Sequence, residues 1–184
     1  QTAAADGRLL RELIDGVRCI VVQDRVVSEG QTVEDTFDWF AQRKDGTVDY
    51  CGEISRNYEL FEGDRPAEAE LVDVDGSWKA GRDGDLSGTV FPGAPVVGAL
   101  YRQEFSPGNA EDVARVMSTD YSYGRQPALD RFVPPALARL LCAAGDCVVT
   151  AEFTPVEPGA LEYKYYARGI GLFLEVDPKS GDTV

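Results

Sequence analysis

The sequence predicts a mainly β protein: a curved antiparallel sheet, a sandwich or a half-barrel, with one short helix near 134–144. Three observations lead there. About nine or ten short runs rich in Val, Ile, Thr, Tyr and Phe are separated by Gly, Asp and Pro turn residues. Within residues 33–53, two alternating runs flank Lys44-Asp45-Gly46, a pairing suited to a type I′ hairpin with both central residues at positive φ. Only the stretch after Pro134-Pro135 reads as helix alone. The 184 residues suffice for one domain, 1–184, and no repeat, linker or low-complexity run divides them.

In order, Gln1 to Gly7 is small and polar, a loose end or the approach to an edge strand. Arg8 to Ile14 fits a short helix as well as a strand, and Asp15-Gly16 turns it. Val17 to Val27 is β-branched and ends at Glu29-Gly30. With Gln31 to Gln42 and Thr47 to Glu53 it makes a three-stranded meander. The middle strand sets Asp35, Phe37 and Trp39 on one face and Thr36, Asp38 and Phe40 on the other, so neither face is plainly the solvent side.

Further strands are expected at Tyr58 to Glu62, at Ala69 to Val74 paired with Ser77 to Ala80 around Asp75-Gly76, and at Leu100 to Phe105. Thr89 to Pro95 reads as extended and edge-like. Val113 to Met117 fits a strand or one helical turn, and Asp120 to Val133 is irregular. After the helix come Asp146 to Phe153, Leu161 to Ala167 and Ile170 to Val176.

The net charge is −14, from 18 basic and 32 acidic residues. That argues against nucleic acid and anionic membranes, which recruit Lys and Arg. It favours solubility, cations or a basic partner. The absence of histidine removes the commonest general base, the usual triads and most zinc sites. No apolar run approaches a transmembrane span of about 18 residues. The chain begins at Gln1 rather than Met, which fits a processed or trimmed end with a leader already removed.

Four cysteines fit disulfides in an oxidising compartment; the alternative is four reduced core thiols. Cys142 and Cys147 are the better pair, because a reversal at Gly145 brings the helix end back toward the next strand. Cys19 and Cys51 pair only if their strands are adjacent or face one another.

The run Asp73 to Asp85 suggests an irregular calcium (Ca2+) site at Asp73, Asp75, Asp83 and Asp85. It fails the EF-hand template, since Leu71 and Arg82 occupy ligand positions, and acidic hairpin turns explain it as well. No other cofactor is expected. Asp35, Asp38 and Glu53, with Glu104, Glu111 and Asp112, form a second acidic set. Asp35, Asp38 and Glu104 are the candidates for carboxylate catalysis, which needs two groups roughly 5–9.5 Å apart across a cleft. Arg102, Lys164 and Arg168 offer these carboxylates structural ion pairs instead. A hollow in a curved sheet, lined by Trp39, Gln42, Tyr101, Arg102, Glu111 and Asp112, suits a small apolar or sugar ligand.

Several runs together resemble a family of uncharacterised secreted or lipid-anchored bacterial proteins: 15–26, 34–53, 76–84, YRQEF with AEDVARV (101–116), and 152–172. The YYARGIGL ending is similar to the closing hairpin of lipoprotein-carrier-type half-barrels. The resemblance implies a periplasmic, cell-envelope or secreted location and a curved antiparallel sheet, and no known activity. Cys51 replaces an expected aromatic, 120–147 is longer than usual, and the family has further strands before the first run. A missing first strand leaves an edge open to a partner or a second copy by strand addition. The expected function is a non-catalytic binding or structural module. The alternatives are a subunit of an assembly joined by strand addition and a carboxylate-dependent hydrolase.

Overall fold

The computed structural model describes residues 10–65 and 67–183. The expected loose end at Gln1 to Gly7 lies outside them. The protein is mostly β, 47% strand and 6% helix, with a strongly curled antiparallel half-barrel sheet. It divides into two compact units, one holding the residues up to Gly93 with Gln103–Glu111, the other Ala94–Arg102 with Asp112–Val184.

The first unit holds an eight-stranded sheet: β1 (Arg11–Ile14), β2 (Val17–Ser28), β3 (Gln31–Gln42), β4 (Val48–Ile54), β5 (Asn57–Glu59), β6 (Glu70–Asp73), β7 (Trp78–Lys79) and β8 (Gly88–Phe91). Its path runs β1-β2-β3-β4-β7, with β8 on β4, and β5 joining β3 to β6. The ambiguous opening segment is therefore a strand. The β1–β2 and β2–β3 reversals are two-residue turns in which Asp15-Gly16 and Glu29-Gly30 all have positive φ. That conformation matches the right-handed twist of the strands it joins.

The expected turn at 44–46 differs. Arg43 N–H donates to Thr47 O and Gly46 N–H to Arg43 O, and of the central residues only Gly46 has positive φ. A three-residue loop closes with one left-handed residue, so Asp45 need not adopt that conformation. Instead its carboxylate accepts the Thr47 N–H at 3.0 Å. The expected pairing of 69–74 with 77–80 is also corrected. β6 pairs with β5, while β7 pairs with β4 at Gly52 and Glu53.

The second unit holds the five-stranded sheet β13-β12-β11-β10-β9: β9 (Leu100–Arg102), β10 (Val113–Tyr121), β11 (Cys147–Phe153), β12 (Glu162–Ala167) and β13 (Gly171–Val176). The LYRQEF run is a strand only through Arg102. The 113–117 stretch is a strand and extends to Tyr121. The expected helix is α2 (Pro135–Leu141), opened by proline in its first turn; a further single turn, α1 (Pro127–Asp130), lies in the stretch expected to be irregular.

One face of this sheet packs Tyr121, Val149, Tyr165, Leu174 and Val176 against Leu129 and Ala138 of the helices. Two buried tyrosines fix α1: Tyr121 O–H donates to Asp130 at 3.0 Å and Tyr165 O–H to Leu129 O at 2.7 Å. Both phenols are satisfied, which offsets the cost of burying them. The Cys142–Cys147 bridge ties the end of α2 to the start of β11.

Candidate functional site

β3 and β4 position the first charged cluster. Near the turn their register is regular, Gln42 opposite Val48 and Phe40 opposite Tyr50. Beyond it the register slips by one, so that Trp39 faces Gly52 and Asp38 faces Glu53. Cys51 is the extra residue of this bulge. Such a slip exchanges the faces of every residue that follows, because side chains alternate with a period of two. Glu53 thereby joins the Asp38 face, and Cys51 turns to the other. Gly52 makes this geometry available. Its φ is +131°, and a Cβ there would stand 2.4 Å from Trp78 O.

On the Asp38 face the Tyr50 O–H donates to Asp38 Oδ1. Tyr50 stacks on Phe40 at 4.9 Å between centroids and meets Trp78 edge-on at 5.3 Å. Glu104 completes the group through a hydrogen bond with Glu53. Burial pushes the Glu53 carboxyl up to about 7, with the nearby Asp38 charge adding to it and the Glu104 and Tyr50 hydrogen bonds opposing. Burial, then the charges of Glu53, Asp38 and Glu104, raises the Tyr50 phenol well above its ordinary range. The indole N–H of Trp78 is buried without a hydrogen-bond partner among the described residues. Chemically, this is a carboxyl that titrates near neutral pH beside further acidic groups and a phenol.

Of the catalytic candidates, Asp38 and Glu104 enter this cluster. Asp35 does not. It accepts from Gln23 at 2.6 Å and pairs with Arg25 at 3.6 Å and Arg56 at 3.7 Å. Trp39 lies on the opposite face from Asp38, buried, with the Lys79 ammonium 4.0 Å from its ring centroid and that ammonium 2.8 Å from Glu12. On this face the Cys19–Cys51 disulfide joins β2 to β4. The expectation that these cysteines need adjacent or facing strands is corrected, since β3 lies between them. Strands two apart in a flat sheet are separated by about 9.6 Å. The curl brings these two Cα atoms to 6.9 Å.

The other expected ligand residues are divided between the units. Gln42 ends β3, exposed, and Glu111 accepts the Gly108 N–H at 3.3 Å. In the second unit Tyr101 and Arg102 lie on β9 and Asp112 precedes β10. Two aspartates of the calcium expectation, Asp73 and Asp85, have partners of their own. Asp73 accepts from Asn57 at 2.6 Å and from the Asp75 N–H at 3.1 Å, and these bonds hold its carboxyl below the usual range. Asp83 sits in a turn at φ 53°, and Asp85 is buried and accepts the Lys79 N–H at 3.4 Å. Among the described residues no group of three or more His, Cys, Asp and Glu side chains is placed to hold a metal ion.

The second charged cluster was not singled out by sequence. Thr150, Lys164 and Glu175 form one cross-strand row through β11, β12 and β13. The Lys164 ammonium lies 3.0 Å from Glu152 and 2.5 Å from Glu175. Thr150 donates to Glu152 at 2.9 Å and Tyr166 O–H at 3.4 Å. Burial pulls the Lys164 pKa down, but the charges of Glu152 and Glu175 outweigh it and the net shift is upward. The available signal was the alternation in Glu162-Tyr163-Lys164-Tyr165, which places the lysine opposite the aromatic face.

No family model, curated protein or solved structure matches this chain. Its two disulfides point to an oxidising, extracellular or periplasmic environment, and among the described residues no helix is long and apolar enough to cross a membrane.

Proposed function

We propose that the protein is a secreted or cell-envelope module that binds or supports a partner without catalysing a reaction. The carrying observation is the Cys19–Cys51 bridge, which staples a curled sheet across an intervening strand. Such a staple persists where thiols are oxidised. The acidic composition and the resemblance of several runs to secreted and lipid-anchored β-rich proteins support the same reading. Within the clusters, hydrogen bonds and ion pairs run from one protein group to another, as structural networks do.

Native mass spectrometry of the protein isolated from its own host, with and without reduction and alkylation, tests this. Two intact bridges and a retained partner are expected. Four free thiols on a bare monomer would overturn it.

The Glu53 carboxyl, pushed up to about 7 beside the Asp38 charge, favours a second reading, a carboxylate-dependent hydrolase. In that case Glu53→Gln and Asp38→Asn would each abolish a hydrolysis that the unaltered protein performs. Unchanged hydrolysis in both would remove that reading.

A further inference from the structure

The hairpin of β5 and β6 stands apart from the rest of its sheet in three respects. It is tied to β3 through a single register pair, Glu34 with Asn57. All four residues of β6 are exposed, and among the described residues β6 pairs with β5 alone. Its register slips at Val72, which sets that residue outside the ladder pairs. β6 therefore offers backbone N–H and C=O groups along its outer edge, a template for another strand.

The side chains at this edge are unusual for an exposed one. Leu71 is 53% exposed, Val74 50%, and Leu60 and Phe61 beside β5 are 53% and 44%. Residues 59–75 also carry seven acidic groups and one basic group, Arg65. Edges are commonly protected by shortness, bulges, proline and charge. β6 is four residues long and bulged at Val72, and its charges, Glu70 and Asp73, are both acidic, so they repel a like strand and favour a cationic one. A second copy of this hairpin would bring the same negative charges together, which opposes self-pairing. The complementary occupant is extended, apolar on alternate positions, and positively charged.

We propose that the β6 edge receives a cationic, apolar polypeptide segment of another protein by strand addition. This rests on the reading of the protein as a binding module and names the edge and the chemistry of its partner. Backbone hydrogen bonds would supply affinity, Leu71 and Val74 would pack the apolar side chains, and Glu70 and Asp73 would face its lysines.

The probe is a capped peptide of about nine residues alternating Lys with Val, offered to the oxidised protein. Its counterparts carry Glu for Lys, or Pro at alternate positions. We expect the Lys peptide to bind and both counterparts to fail. Hydrogen exchange in residues 70–74 should slow, and affinity should fall about tenfold or more between roughly 50 and 300 mM salt. Glu70→Lys with Asp73→Lys should weaken binding at least about tenfold while leaving the Trp39 and Trp78 fluorescence unchanged.

Binding with protection elsewhere, equal binding of the Glu peptide, or concentration-dependent self-association through this edge would each overturn the proposal. If a natively retained partner is found while the edge stays unprotected, the edge assignment fails and the binding-module reading stands. If no partner is retained and no peptide binds, both fail.

Discussion

At Glu53 the fold sets a proton equilibrium that affects stability. The folded carboxyl titrates at about 7 rather than the ordinary 4.5, because burial disfavours its charge. The folded state therefore holds a proton that the unfolded state releases earlier. Its contribution is complete below about pH 4.5 and is lost as pH rises through about 7. A shift of this size corresponds to about 3 kcal/mol. Glu53→Gln, which imitates the protonated form, should remove that loss. Urea midpoints at pH 5 and pH 8 should converge in the variant relative to the unaltered protein. A pH dependence equal in both would show that Glu53 does not carry it. Lys164 poses the opposite case, a half-buried charge that is paired on two sides, one of its partners, Glu152, being buried. Lys164→Met would leave Glu152, 4% exposed, and Glu175 without their counter-ion. The expected cost is about 3–5 kcal/mol, read from urea unfolding. A loss below about 1 kcal/mol would mean that the pair is no stronger than a surface bridge.

Among the elements, the β3–β4 bulge determines which side chains can meet. Counting back from the 44–46 turn with a regular ladder places Asp38 opposite Gly52 and leaves Glu53 on the Trp39 face. The slip at Cys51 and Gly52 reverses that assignment. Gly52→Ala should therefore do more than add a methyl group. The backbone at φ +131° is strained for any L side chain, and Trp78 O blocks the new Cβ at 2.4 Å. We expect a loss of at least about 2 kcal/mol, with altered near-ultraviolet dichroism from Trp78 as β7 is pushed away. A stable variant with an unchanged Trp78 signal would show that the bulge adapts. Gly88 plays a comparable part, since its missing side chain lets β8 approach Gln103 to within 1.8 Å of where a Cβ would stand.

For the whole molecule, the two disulfides constrain unequal stretches. Cys19 and Cys51 are separated by 32 positions and Cys142 and Cys147 by 5. A longer closed loop removes more entropy from the unfolded chain. Opening the first bridge by Cys19→Ala with Cys51→Ala should cost about 3–4 kcal/mol, and opening the second by the matching pair about 2 kcal/mol. Urea unfolding of the two double variants, each monitored in its own unit by tryptophan or tyrosine signals, provides the comparison. Equal costs, or a larger cost for the short loop, would indicate that loop entropy is not what the bridges supply.

The sequence by itself determined the β class, the meander over 17–53, the Asp15-Gly16 and Glu29-Gly30 reversals, the helix after Pro134 and the Cys142–Cys147 pairing. Each follows from neighbours in the chain: alternation, a turn pair, proline in a first turn, a glycine reversal. It also placed Asp38, Glu53 and Glu104 in one acidic set. Tertiary structure decided the rest. It removed Asp35 from that set through Arg25 and Arg56, assigned β7 to β4 rather than β6, and joined Cys19 to Cys51 across β3. It also assembled Glu152, Lys164 and Glu175 from three strands. These outcomes depend on register and curl. Register is set by a one-residue slip and curl by the packing of a whole sheet, so neither is encoded in local spacing.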